Sequence, residues 1–230
     1  MAQAPDRSPW RTVVWGKEKR TEYLKAIKEF ESASSSVKKA RILLLGPSRV
    51  GKSSFVNSVF SIFKDRKNNP ADCRDKTSEF CTYLIKGVEE RTSLNLALCD
   101  TMGLSEGTGR GFTVTTSSAS FKFSPTSPMT PETAGYVAAP TLNRKIHCVV
   151  YVMDASTVSD VSAALKKKLR EIRQRVTSLN IPQLVLMTKV DRADPSVIKD
   201  IRNVYESEIF REKAEQLAAL LACRIPESFQ

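Results

Sequence analysis

Gly46, Gly51, Lys52 and Ser53 stand at the spacing G-x-x-x-x-G-K-[ST], the pattern of a loop that wraps nucleotide phosphates. Glycine at both ends lets the backbone take angles that a Cβ forbids, so successive N–H groups can turn inward onto an anion. A helix starting near Gly51 adds unpaired donors and the positive end of its dipole. Lys52 then reaches the β- and γ-phosphates, and the Ser53 hydroxyl is a natural Mg2+ ligand. The expected phosphate contacts are Gly46, Ser48, Arg49, Val50, Gly51, Lys52, Ser53 and Ser54, with Gly103 further along the chain.

Two more motifs follow in order. Asp100-Thr101-Met102-Gly103 closes an alternating run of Leu94, Leu96 and Leu98. A carboxylate at a strand end near the phosphate loop can hold Mg2+ through water, and Gly103 lets a backbone N–H approach the γ-phosphate. Alone, D-x-x-G is an ordinary turn; its place one strand after the loop is what gives it weight. Leu104 occupies the position where many signalling GTPases carry a glutamine that orients the attacking water. Leucine cannot do this, so intrinsic hydrolysis is expected to be slow or to need another group. Thr188-Lys189-Val190-Asp191 follows an apolar run, Leu184 to Met187. Asp191 can accept from both the N1–H and the 2-amino group of guanine, and adenine offers neither donor in that arrangement. The Lys189 stem can lie along the base, and Thr188, Lys189 and Asp191 are the expected guanine contacts. The wrong base leaves a carboxylate unpaired, a penalty of about 1–3 kcal/mol.

Thr77 ends the charged, turn-rich stretch Lys64 to Lys76, where P-loop GTPases keep their first mobile loop. It is a candidate third metal ligand beside Ser53 and Asp100, with an ordinary loop threonine as the alternative. Thr82 lies inside the following strand and suits the role less well.

The elements that must position these groups show as hydrophobic periodicity. Arg41 to Leu45 reads as a strand, and Phe55, Val56, Val59, Phe60 and Phe63 give the next helix its apolar face. Phe80 to Ile85 should run antiparallel to Leu94 to Leu98. His147 to Met153 is a near-continuous apolar strand ending at Asp154. Val161, Leu165, Leu169, Ile172, Val176 and Leu179 form a helical stripe. Its other face carries Lys166, Lys167, Lys168, Arg170, Arg173 and Arg175, read as solvated rather than as a nucleic-acid or membrane patch. Asp194-Pro195 opens a helical stretch with Val197, Ile198, Ile201 and Val204, and Ile209 to Leu221 is another. Upstream, Trp15 to Phe30 reads as an amphipathic helix packed on the outside, with Trp10 and Trp15 as anchors. Residues 105–140 combine glycines, a Ser/Thr run and prolines without helical periodicity and are expected to be irregular.

The expected organisation is an N-terminal extension with one helix (1–40) and an α/β P-loop GTPase-like domain (41–230). That domain is a three-layer sandwich with a mostly parallel sheet, lacking the last strand and closing helix usual in such a domain. The net charge of +11 favours anionic partners, which a nucleotide satisfies without nucleic acid. No apolar run approaches the roughly 18 residues of a membrane span. The basic N-terminus has no apolar segment to make a secretory signal. The five cysteines are scattered, no C-x-x-C occurs and there is one histidine, which favours free thiols in a reducing compartment over a metal site.

The chain resembles the interferon-induced protein 44 family of P-loop proteins. The residues that carry the resemblance are Ile42 to Phe55, Cys99-Asp100-Thr101-Met102-Gly103-Leu104, Met129-Thr130-Pro131-Glu132, Ile146 to Asp154, and Thr188-Lys189-Val190-Asp191. The resemblance implies a cytoplasmic, interferon-inducible protein of innate antiviral and antiproliferative responses, with GTP or GDP and Mg2+ as ligands and protein partners it does not name. Arg49 and Val50 stand where the family's loop usually has Gly-Ala, which sets a large side chain beside the phosphates. Three functions remain open: a guanine-nucleotide switch with slow hydrolysis, a scaffold with a vestigial nucleotide site, and an ATP-using enzyme. Thr188 to Asp191 argues against the last.

Overall fold

In the computed structural model the described residues are 9–64, 67, 69–71, 81–87, 93–104, 112–114, 121–123 and 141–222. The central strand, β1 (Ala40–Leu45), ends in three fully buried leucines, Leu43, Leu44 and Leu45. Such an unbroken apolar run suits a strand covered on both faces. Around it lie β2 (Cys81–Lys86), β3 (Ser93–Asp100), β6 (Cys148–Asp154) and β7 (Gln183–Thr188), in the order β2-β3-β1-β6-β7. β3, β1, β6 and β7 are parallel, and β2 runs antiparallel to β3 at one edge. Register aligns the strand ends that matter: Leu44 opposite Asp100 and Val150, and Asp154 opposite Thr188.

Successive side chains of a strand point to opposite faces, and two cores result. On one face α2 (Lys52–Lys64) buries Val56, Phe60 and Phe63 against Leu44, Val150 and Val152. Leu24 and Ile27 of α1 (Lys17–Lys28) pack against the same cluster. On the other face α3 (Ala163–Ser178) and α6 (Glu208–Leu221) cover Leu43, Leu45, Val149, Tyr151 and Met153. The apolar stripe of α3 is buried through Leu165, Leu169, Ile172 and Val176, as its spacing predicts. Trp10 and Trp15 do anchor the N-terminal segment. Trp10 donates its indole N–H to the Val204 carbonyl at 3.1 Å, and both rings lie against Tyr205, with centroids 5.4 and 6.0 Å away.

Two expectations are corrected. A short α4 (Val190–Ala193) precedes Asp194, and the helical stretch after it is broken into α5 (Ser196–Lys199) and a 3-10 turn, Ile201–Tyr205. Asp194 and Asp200 are both extended, and their carboxylates accept the backbone N–H of Ser196 and Arg202 at 2.8 and 2.9 Å. Aspartate competes locally for the donors a continuous helix would use. Within 105–140, β4 (Phe112–Val114) pairs antiparallel with β5 (Phe121–Phe123), so these six residues are not irregular, and the rest of that expectation lies outside the described residues. Among the described residues β7 pairs with β6 alone, and no strand or helix follows α6.

Candidate functional site

All the motifs converge on the C-terminal edge of the parallel strands. Gly46 follows β1 so closely that a Cβ there would sit 2.1 Å from the Val152 carbonyl oxygen of β6, so only glycine fits. Gly51 has φ 101°, and Arg49, without glycine's freedom, is held in the left-handed region at φ 63°. Lys52, at 5% exposure, curls back over the loop and donates to the Gly46 and Pro47 carbonyls at 3.1 and 2.8 Å. Burial depresses its ammonium to about 8, and the nearby Asp100 carboxylate works against that shift.

Asp100, fully buried at the end of β3, accepts the Ser53 hydroxyl on Oδ2 at 2.7 Å. Its other oxygen, Oδ1, is buried with no hydrogen-bond partner among the described residues. Burial pushes this carboxyl up from its ordinary value, while Ser53, Lys52 and the Thr101 backbone N–H pull it back. An orphaned carboxylate oxygen beside a hydroxyl fits Mg2+, a hard ion that takes one or two protein oxygens and completes its shell with water and phosphate. The described residues hold no cluster of three or more His, Cys, Asp or Glu, as would suit a metal caged by protein alone. The Thr77 expectation lies outside the described residues.

The turn after Asp100 is stitched to the phosphate loop. Thr101 donates its hydroxyl to the Leu44 carbonyl at 2.9 Å, and Leu104 N–H donates to the Gly46 carbonyl at 2.9 Å. Pro47 and Leu104 form an isolated parallel bridge that carries the β1–β3 pairing past the strand ends. Ser48 lies against Gly103, where a Cβ would fall 2.2 Å from its Oγ. Leu104 itself is 5% exposed and belongs to the core beneath α3 and α6. Ser54 is exposed on α2, its carbonyl accepting the Ser58 hydroxyl.

At the other end of the site, Thr188 donates to the Val50 carbonyl, with the Met153 carbonyl 3.1 Å away. Its hydroxyl thus braces the phosphate loop against β6 and β7. Lys189 is left-handed at φ 53°, and its ammonium pairs with Asp154 Oδ2 at 2.7 Å. Burial raises the Asp154 carboxyl, but the bonds from Lys189 and Ser156 outweigh it and leave the group below its ordinary value. Asp191 is exposed in the first turn of α4.

Sequence reasoning missed two residues here. Asp154 had a visible signal: like Asp100, it is a carboxylate that ends an apolar strand. Asn57 had none. Its amide clamps Ala71 in both directions, Nδ2 to the carbonyl and Oδ1 from the N–H, each at 2.9 Å.

The strand order decides the class. A G-x-x-x-x-G-K-S loop after the central strand, an aspartate ending one neighbouring strand and a T-K-x-D turn two strands to the other side are the arrangement of a P-loop GTPase domain. Residues 41–189 match the sequence model of the family described as 50S ribosome-binding GTPase, and the chain belongs to that family.

The resemblance to the interferon-induced protein 44 family also holds. The chain is 32% identical over 206 residues to interferon-induced protein 44 of Mus musculus, covering 84% of this chain and 48% of that protein. With the protein of the same name from Homo sapiens it shares 31% over 211 residues, covering 87% and 48%. With interferon-induced protein 44-like of Homo sapiens it shares 31% over 193 residues, covering 79% and 43%. The chain thus spans less than half the length of these curated relatives.

Proposed function

We propose that this chain is a guanine-nucleotide-binding protein that takes GTP or GDP with Mg2+ and hydrolyses GTP slowly or not at all, acting in the cytoplasm in an interferon-induced antiviral response. The observation that carries the nucleotide reading is the Ser53–Asp100 pair at 2.7 Å, with Asp100 Oδ1 left without a partner beside the phosphate loop. Loop N–H groups and Lys52 hold the phosphates. Ser53 and Asp100 hold the Mg2+, whose charge offsets that of the phosphates. Asp191 reads the guanine edge and the Lys189 stem covers one face of the base. Leu104 offers no group to orient water, which makes turnover slow. The interferon-induced part follows the names of the relatives, and the antiviral part follows the family resemblance alone. No described helix is long and apolar enough to cross a membrane.

The contact of Ser48 with Gly103, and the bond from Leu104 N–H to Gly46, favour a second reading. In it the loop stays closed on the following turn and the protein is a scaffold with a relic site. A fluorescent GTP analogue titrated with Mg2+ into wild type and Lys52→Ala, competed with GTP, ITP and ATP, separates the two. Micromolar binding that is lost in the variant and competed best by GTP is the expected result. A folded wild type that takes up no nucleotide leaves the scaffold.

A further inference from the structure

The T-K-x-D motif names Lys189 without saying what holds it. Asp154 is the register partner of Thr188 across β6 and β7, so Lys189 leaves β7 beside the end of β6. Its ammonium reaches back to Asp154 Oδ2 at 2.7 Å, and the stem therefore crosses the ends of both strands. The Asp154 side chain is 8% exposed. Its second oxygen is occupied by the Ser156 N–H at 2.9 Å and the Ser156 hydroxyl at 2.6 Å, which leaves the carboxylate little freedom to turn. Lys189 keeps 27% of its side chain exposed and sits in a left-handed conformation unfavourable for lysine. Backbone strain at such a residue points to function more than to stability, and a partly exposed ion pair contributes little to folding.

We infer that Asp154 is a positioning residue of the purine site, tethering Lys189 so that its stem forms a fixed platform for one face of the base. The Thr188 bond to Val50 sets that platform beside the phosphate loop, and Asp191 stands two residues further on at the base edge. This rests on the guanine-nucleotide reading above. It adds a residue outside the motif, whose loss should weaken binding of the base and spare binding of the phosphates.

The test uses the full chain, with GDP, ADP and inorganic tripolyphosphate as separate ligands in the presence of Mg2+. Wild type, Asp154→Asn, Lys189→Met and the double variant are compared by calorimetry, with melting curves alongside. Each single variant should weaken GDP about tenfold and tripolyphosphate less than twofold. The double variant should weaken GDP about tenfold rather than a hundredfold, because the two side chains act as one unit. GDP affinity unchanged in Asp154→Asn, equal loss of both ligands, or additive losses would each overturn the inference. So would an Asp154→Asn chain that fails to fold while Lys189→Met folds, since Asp154 would then be a structural brace. A wild type that binds tripolyphosphate but takes GDP no more tightly than ADP sinks the guanine reading itself and this inference with it.

Discussion

The two ends of the proposed nucleotide site are built from different materials. At the phosphate end Asp100 is fully buried, Lys52 is 5% exposed, and glycine at 46 is dictated by a backbone carbonyl. At the base end Asp191 stands in solvent and Lys189 keeps over a quarter of its side chain exposed. The first is made by the backbone and fails as a whole. The second is made by separate side chains on strand ends and a short turn, and can lose selectivity while the fold survives. Changes at the phosphate end should therefore cost stability and binding together, and changes at the base end should cost discrimination.

Gly46→Ala tests the first half of that contrast most severely. The added methyl would meet the Val152 carbonyl oxygen at 2.1 Å, so β1 and β6 must separate or the loop must refold. The expected cost is about 3 kcal/mol or more by chemical denaturation, with nucleotide binding lost. Asp191→Ala is the opposite case. It should stay within about 0.5 kcal/mol of wild type and still bind nucleotide. GTP should then compete no better than ITP, which lacks the 2-amino group the carboxylate would read. Similar stability losses in the two variants would dissolve the distinction between the ends.

Leu104→Gln is the next largest. On the motif alone, glutamine at this position should restore hydrolysis. In the structure the side chain enters the core beneath α3 and α6. Burying an amide there costs about 1–3 kcal/mol, and single-turnover assays should show no faster GTP cleavage. A rise in the rate would mean that the bond from Leu104 N–H to Gly46 opens when nucleotide binds.

The pH dependence of binding probes Lys52. Its folded value of about 8 lies below the ordinary 10.5, so below pH 8 the cost of burying the cation is present in full. Between those two values the folded protein has shed a proton that the unfolded chain still holds, and stability of the nucleotide-free protein rises with pH. On the proposed reading phosphates require the cation, so binding above pH 8 must take up that proton. Affinity for GDP should be flat below that point and fall by up to about tenfold per pH unit above it. Lys52→Arg, which stays charged throughout, should abolish the slope whatever its affinity.

Much of the geometry of the loop after β1 was legible because its information is local. Gly46, Gly51, Lys52 and Ser53 lie within eight residues, and the apolar runs of β1, β6, α2 and α3 are long enough for their periods to show. The base end was only half legible. Asp154 and Lys189 are 35 residues apart, and only the pairing of β6 with β7 brings them together. Leu104 is held beside the loop by an isolated Pro47–Leu104 bridge, three residues past the last β1–β3 pair on β1 and four past it on β3. The break-up of the stretch after Asp194 is set by two side-chain caps that interrupt an otherwise helical apolar pattern. β4 and β5, at three residues each, are too short for any period to show.

The smallest effect is expected at Arg49, and it divides in sign. Arginine at φ 63° carries a strain of about 1 kcal/mol that glycine would not, partly offset by the freedom glycine gains in the unfolded chain. Arg49→Gly should therefore stabilise the nucleotide-free protein by about 0.5 kcal/mol. The same change removes the exposed cation of the loop, Lys52 being buried, so affinity for GTP should fall a few-fold. Arg49→Ala keeps the strained backbone and loses the charge, so it should weaken binding equally without gaining stability. A stability gain with no loss of affinity would mean that the guanidinium points away from the phosphates. The phosphate end would then rest on Lys52 and the loop backbone, with Arg49 tolerated in a glycine's conformation.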